Sequence, residues 1–357
     1  MTKIFKLLAL VALCWALSAC FEEPLYHSQS YVFGTLVDVT IYGENNDRVN
    51  YLANHVFQEF QNLHNRLHAW KPVSENHLSE IGQLNAAFAA GKTPIAISPD
   101  LAKMLLEISK LSEKSDNLFN PSIGKLIAAW GFQRDELTPV HIDATQIHTL
   151  VQANPRMMDM VVTDNSAYSN NQALKLDLGG YAKGYALDIA ATYLRQQGVK
   201  NALINIGGNV IALGKHGDKP WRVGIQHPRK PVAMATLELG DGWAIGTSGD
   251  YQRYFMINGQ RYCHIIDPRT GYPSQHMQSV TVLVPPQATN QSQAGVLSDV
   301  VTKPIFIAGA AQSSRMAQAF GIEDYMLVDD QSHIMLSKTM ARKIHWSDAS
   351  VQYTTLP

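Results

Sequence analysis

The chain has 357 residues, 46% of them hydrophobic, and its 29 basic and 30 acidic side chains nearly cancel to a net charge of −1. No Lys/Arg block disturbs that balance, which excludes a nucleic-acid backbone as a partner because such a surface needs concentrated positive charge. Without low-complexity tracts or internal repeats, the composition describes a folded body of roughly two domain-equivalents, a length that often folds as one unit.

At the N-terminus Lys3 and Lys6 precede the apolar run Leu7 to Leu17, which ends in Leu-Ser-Ala-Cys at Cys20. The run is too short to span a bilayer, and small residues before a cysteine suit a signal peptidase. Residues 1–19 are therefore expected to be a lipoprotein signal peptide, with Cys20 acylated as the anchor. The alternative is an ordinary secreted chain with an incidental cysteine. Several acyl chains on Cys20 would hold the protein firmly at a membrane, where one chain is marginal. Cys14 leaves with the signal, so Cys263 has no partner for an intramolecular disulfide. Residues 20–30 read as a tether and 31–357 as the folded domain.

Tyr31 to Tyr42 alternates like a strand, and Tyr51 to Leu67 carries apolar residues at helical spacing before Pro72. Ser98-Pro99-Asp100 opens an amphipathic helix through Leu111, with Ser98 as N-cap and Pro99 at the first helical position. Ser115-Asp116-Asn117 is a loop, Pro121 to Phe132 a buried helix ending at Gly131, and a strand is expected around Lys175. A helix follows the glycine pair Gly179-Gly180 and stops at Gly198. The character then turns to strands: 202–206, 221–227, 233–239, 243–247, and 254–257 joined to 260–265 through Asn258-Gly259, a strong hairpin signal. Another strand at 280–284, helices near 297–302 and 312–320, and a hairpin over Asp329-Asp330 complete an α+β order with no regular βαβ alternation.

The segment Leu176 to Asp188, Leu-Asp-Leu-Gly-Gly-Tyr-Ala-Lys-Gly-Tyr-Ala-Leu-Asp, leads an apolar strand into paired glycines and then a helix. It reads either as plain turn chemistry or as a phosphate cradle, in which bare glycine backbone and a helix N-terminus meet an anion and Lys183 adds a mobile cation. Asn205 to Asn209, Gly246 to Asp250 and His264 to Gly271 are further glycine-rich polar turns, expected to converge on an anionic ligand. His264 either satisfies a backbone carbonyl or serves as a general base or phosphate ligand. Asp267-Pro268 reads as an Asx turn.

Taken in order, Phe33-Gly34-Thr35, Ser74-Glu75 with Leu78 and Asn85, Leu118-Phe119-Asn120-Pro121 through Trp130-Gly131-Phe132, Asp177 to Asp188, Asn205 to Gly208, Trp221 to Pro228, Thr247-Ser248-Gly249 and His264 to Gly271 give the chain a resemblance. It resembles the FAD:protein FMN transferase family, the ApbE lipoproteins. The resemblance implies the family's α+β fold and Mg²⁺-dependent transfer of FMN from FAD to a Thr or Ser hydroxyl of a respiratory flavoprotein, with release of AMP. It places Phe33, Trp70, Leu118, Phe119, Asn120, Asp177, Lys183 and Ile265 at FAD contacts. For the transfer itself the expectation drawn from the residues is that Lys183 neutralises the pyrophosphate and His264 accepts the proton. The resemblance places the Gly180 carbonyl, Asp299 and Thr302 at the metal. At Lys303 the family usually has a Thr ligand, so Lys303 either reaches the pyrophosphate as a point charge or points to solvent while Thr302 supplies the oxygen. Asn120, Asn117 and Ala69-Trp70 also depart from the family pattern. The implied acceptor is a subunit of a membrane respiratory complex, a Na⁺-translocating NADH:quinone reductase or an Rnf-like assembly. The implied location is the periplasmic side of a bacterial membrane, inner or outer. Rival activities are hydrolysis of FAD to FMN and AMP, and FAD binding without chemistry.

Overall fold

Val37, Val39 and Ile41 alternate with less buried Asp38, Thr40 and Tyr42, a two-residue period that sinks one face of a strand into a core. In the computed structural model, which describes residues 24–356 apart from 75–76, 135, 137 and 287–292, this strand belongs to a nine-stranded sheet. The strands are β1 (Leu25–Val32), β2 (Thr35–Tyr42), β3 (Asn201–Ile206), β4 (Asn209–Leu213), β5 (Ala244–Gly249), β6 (Met277–Val284), β7 (Asp324–Asp329), β8 (Ile334–Ser337) and β9 (Tyr353–Leu356). Their order across the sheet is their order along the chain. Each strand runs antiparallel to its neighbour except β9, which lies parallel to β8.

The helices that pack on this sheet are connections between its strands, which makes the architecture α+β as the sequence order indicates. The 22-residue helix Asn46–Leu67 starts at Asn45, whose side chain accepts from the Arg48 N–H, and buries Val49, Leu52, Val56, Phe60 and Leu63 at intervals of three and four. A smaller three-stranded sheet, His345–Trp346, Ala233–Leu239 and Trp221–Gln226, closes a second core with Trp221, Ile225, Leu237 and Leu239. The hairpin Tyr254–Ile257 and Gln260–Cys263 turns through Asn258 and Gly259, both at positive φ, and stacks Phe255 and Tyr262 on Trp130. Among the described residues no helix is long and apolar enough to cross a membrane. Cys20 and Glu75 lie outside the described residues.

Three expectations are corrected. The segment read as a tether through Ser30 is an edge strand from Leu25 onward, paired residue for residue with β2. Its polar composition disguised it: His27 and Gln29 put their side chains on Asp38 of β2. The strand expected at Lys175 is only a one-residue parallel bridge to Ile123. Its hydrogen bonds go to a loop and a side chain: Lys175 N–H and Asp177 N–H donate to the Ser122 and Pro121 carbonyls, and Asn85 pairs with both backbone groups of Leu176. The helix expected over Pro121 to Phe132 is confined to Gly124–Ala129, because the preceding residues make that loop. Ser98 sits at the N-cap of Pro99–Lys114 as expected, but its hydroxyl makes no capping bond.

Candidate functional site

Asp177 follows the extended Leu174–Leu176 segment and faces two ways. One carboxylate oxygen accepts from the Gly179 N–H at 2.8 Å, closing the turn into the glycine pair, and the other accepts from the Trp70 indole at 2.7 Å. Trp70 is thereby fixed, and the Lys175 ammonium lies 4.2 Å over its ring. The Trp70 and Lys71 N–H groups donate to the ring of His68, which meets His64 edge-on, and His64 meets Phe33. Phe33 takes positive φ in the β1–β2 turn. An aromatic series thus runs from Phe33 to Trp70 and ends at Asp177. Beside Trp70 a cleft of about 620 Å³ combines an apolar floor with Lys71, Lys125, Arg134 and Lys175.

Past the glycine pair the chain enters helix Ala182–Gln196, which carries Lys183 half-buried in its first turn. This helix touches helix Ala294–Val300 backbone to backbone. A methyl group on Gly184 would lie 2.4 Å from the Gly295 carbonyl, and one on Gly295 would lie 2.5 Å from the Gly184 carbonyl, so neither position tolerates a side chain. Asp188 secures the contact by accepting from the Gly295 and Val296 N–H groups at 2.8 and 2.9 Å. Burial pushes its carboxyl up to about 7 against the pull of those two donors. On the other side Gly246 of β5 presses on the Ser298 carbonyl, where a methyl group would sit 2.1 Å away.

This packing delivers Asp299 to the start of the first helix. Buried, it accepts from the Gly184 N–H at 3.1 Å through one oxygen and holds the Lys303 ammonium on the other. The same ammonium donates to the Asp299 main-chain carbonyl at 2.6 Å. Burial opposes the charge on Asp299, but the Lys303 and Lys183 cations outweigh it and hold the carboxyl below its ordinary range. Burial lowers Lys303, with the Asp299 carboxylate pulling the other way. The Thr302 hydroxyl donates to the Asp299 carbonyl at 2.7 Å and pairs with the Ser248 hydroxyl at 2.7 Å. A methyl group on Gly180 would lie 3.4 Å from both the Lys303 side chain and the Phe119 ring, so Gly180, Phe119 and Lys303 share one spot.

These donors do not fit a resident Mg²⁺. Both oxygens of the Asp299 carboxylate are engaged, one of them by an ammonium, and the Thr302 hydroxyl is spent on Asp299 and Ser248. Among the described residues no three His, Cys, Asp or Glu side chains gather to hold a metal.

His264 leaves the hairpin half-buried, with the edge of its ring toward Phe132. Its Nδ1 lies 3.3 Å from the Arg253 carbonyl, which can only accept, so Nδ1 carries the proton and Nε2 keeps a lone pair. Burial first, then the Arg253, Lys183 and Lys303 charges, pushes the imidazole down to about 3, leaving it neutral. His264 thus satisfies a backbone carbonyl, the plainer of its two readings, and its ring also lies near the lysine pair.

The structure brings together Trp70, Phe119, Asp177, Gly180, Lys183, His264, Asp299, Thr302 and Lys303. Leu118 and Ile265 are buried in the main core behind this surface. Asn120 spends its amide on the Pro155 carbonyl and the Ser122 N–H, bracing the loop. The three polar turns part company: Ser248 reaches the site, Asn205 closes its own turn and bonds Asp38, and Asp267 makes the expected Asx turn with Arg269. Sequence reasoning missed Gly184 and Gly295, each required by the other from 111 residues away in the chain, and Arg253, whose carbonyl sets the His264 tautomer.

The sequence profile of the ApbE family matches residues 33–326. The chain belongs to this family. It is 37% identical to a protein of Rhodobacter capsulatus named FAD:protein FMN transferase over 88% of its own length, and spans 57% of that relative. A Klebsiella pneumoniae protein of the same name is 33% identical over 73% of this chain and 78% of the relative. The ApbE protein of Thermotoga maritima has the same fold, with a TM-score of 0.77 at 24% identity over 90% of this chain and 99% of that structure. Within the ApbE family, then, the glycine-packed helix junction of this chain carries Lys183 and, through Asp299, holds Lys303 of the next helix.

Proposed function

We propose that the chain is an FAD:protein FMN transferase, held by lipid on Cys20 at the periplasmic side of a bacterial membrane, that moves FMN onto a Thr or Ser hydroxyl of a respiratory flavoprotein. The observation that carries the reading is the meeting of Lys183 and Lys303 with bare Gly180 backbone, beside the Phe119 ring and within reach of the Trp70–Asp177 pair. Two cations and a glycine suit a pyrophosphate, and aromatic walls suit the rings of a dinucleotide.

In the transfer the acceptor oxygen bonds to the FMN-side phosphorus, the bond from that phosphorus to the bridging oxygen breaks, and AMP leaves with the bridging oxygen. One proton is released. His264 Nε2, its imidazole held neutral by burial first and then by the Arg253, Lys183 and Lys303 charges, takes it from the attacking hydroxyl. Lys183 and Lys303 neutralise the charge that builds on the departing phosphate, the part of such reactions where proteins contribute most. Mg²⁺, which the family resemblance implies, would meet Asp299 already held by Lys303 and Thr302 already bonded to Ser248, and no step is routed through it. The name carried by the relatives and the sequence of the N-terminus support the reading; the acceptor complex, of Na⁺-translocating NADH:quinone reductase or Rnf type, rests on the resemblance.

The test is incubation of the full chain in detergent with FAD and a Thr-bearing acceptor domain, read by flavin fluorescence on a denaturing gel and by AMP. A fluorescent acceptor with stoichiometric AMP is expected. AMP without a fluorescent band would point to hydrolysis, and bound FAD with neither product to a carrier; each would overturn the transferase.

A further inference from the structure

Lys303 raises a question that the transferase reading does not answer: what a lysine does on the buried Asp299 carboxylate. Its side chain is 17% exposed and that of Asp299 2%, so the ion pair sits out of bulk water. The ammonium is anchored twice on one residue, to the carboxylate and to the main-chain carbonyl of Asp299. Asp299 is in turn fixed by the Gly184 N–H, and the stem of Lys303 runs past Gly180 and Phe119. An ammonium so held is a preformed positive charge at a set position, with only one of its three protons directed to the carboxylate and another to the carbonyl.

The charge balance completes the argument. Around the Asp299 carboxylate itself, the Lys183 and Lys303 cations leave one net positive charge, and Lys183 makes no hydrogen bond or ion pair among the described residues. A divalent cation placed on Asp299 would have to expel the ammonium or sit in contact with it, and would find the Thr302 hydroxyl already bonded to Ser248. The site is built to receive an anion as it stands.

We propose that Lys303 is this chain's internal replacement for the divalent cation: its ammonium, seated on Asp299, joins Lys183 in binding the pyrophosphate of FAD, so that FAD binding needs no metal. The inference rests on FAD being the ligand, as proposed above, but not on the transfer step. It makes Lys303 a direct phosphate contact.

The experiment uses the full chain in detergent, stripped with EDTA, and measures FAD affinity by flavin fluorescence with EDTA or with Mg²⁺, and metal binding by the electron paramagnetic resonance of added Mn²⁺ with FAD present. Expected is one FAD affinity, within about twofold, under both conditions, with Mn²⁺ remaining free. The double variant Asp299→Asn/Lys303→Met removes the pair without stranding a buried carboxylate and should lose at least about tenfold in FAD affinity, not restored by Mg²⁺. Lys303→Thr frees an oxygen and one side of Asp299, and should bind Mn²⁺ and need metal for FAD. Stoichiometric Mn²⁺ on the wild-type chain, FAD binding only in Mg²⁺, no FAD binding in either, or full affinity in the folded double variant would each overturn the inference. FAD bound in EDTA with neither AMP nor flavinylated acceptor would instead remove the transferase and leave Lys303 in its role.

Discussion

The small sheet around Trp221 and the junction of helices Ala182–Gln196 and Ala294–Val300 are both well buried, yet they are built on opposite principles. In the small sheet, side chains fill space: Trp221, Val223 and Ile225 alternate with exposed Arg222, Gly224 and Gln226, and the buried face belongs to a second core. At the junction, the absence of side chains does the work, with Gly184 and Gly295 letting two backbones touch and polar groups of Asp188 and Asp299 bridging them. Packing by side chains has many near solutions, whereas backbone contact has almost none. The site lies at the junction, where Asp299 and Lys303 are held by main-chain groups that cannot change rotamer.

The difference can be broken most severely at Gly184. Gly184→Ala drives a methyl group to 2.4 Å from the Gly295 carbonyl and should cost about 3 kcal/mol, read as a fall in the denaturation midpoint, and abolish FAD binding in whatever folded protein remains. A milder break is Asp188→Asn. The amide keeps acceptor capacity for only one of the two N–H groups, for a loss of about 1–2 kcal/mol at pH 4. Its pH dependence sharpens the point. The folded-state value is raised from 3.8 to about 7, so between these the folded state binds more protons than the unfolded one; the stability this contributes is full below pH 4 and is lost as pH rises through 7. Chemical denaturation from pH 4 to 8 should show that slope in the wild type and a flatter one in Asp188→Asn. In the small sheet the smallest effect is expected: Trp221→Phe loses the indole bond to the Leu213 carbonyl, about 1 kcal/mol, and should leave FAD affinity unchanged.

What the sequence shows follows the same division. The alternation of Ala233 to Leu239 and the Asn258-Gly259 turn appear in the fold as read, because period and turn chemistry are local. Asp177, Gly180, Lys183 and Asp299 could be assembled into one site through the family resemblance, but their contacts could not be read from the residues. Nothing near Gly184 announces a backbone 111 positions later, and nothing near Lys303 tells whether its ammonium faces solvent or Asp299. The edge strand β1 was hidden for a different reason: its middle, His27 to Ser30, is polar on both faces and is held by backbone pairing and by Asp38, which leaves no periodic apolar trace.

The sheet whose spatial order repeats its chain order has one long seam. β2 ends at Tyr42 and its partner β3 begins at Asn201, so residues 43–200, with Trp70, Phe119 and Asp177 among them, must be made before β2 gains its second neighbour. At synthesis rates of about 5–20 residues per second this delay is on the order of ten seconds. During it the β1–β2 hairpin has only one strand partner and shows the open edge of Val37 and Val39, a form that is marginal alone and that templates pairing with other chains. The seam is therefore the place in the emerging chain where this protein most needs either a chaperone or distance from its copies.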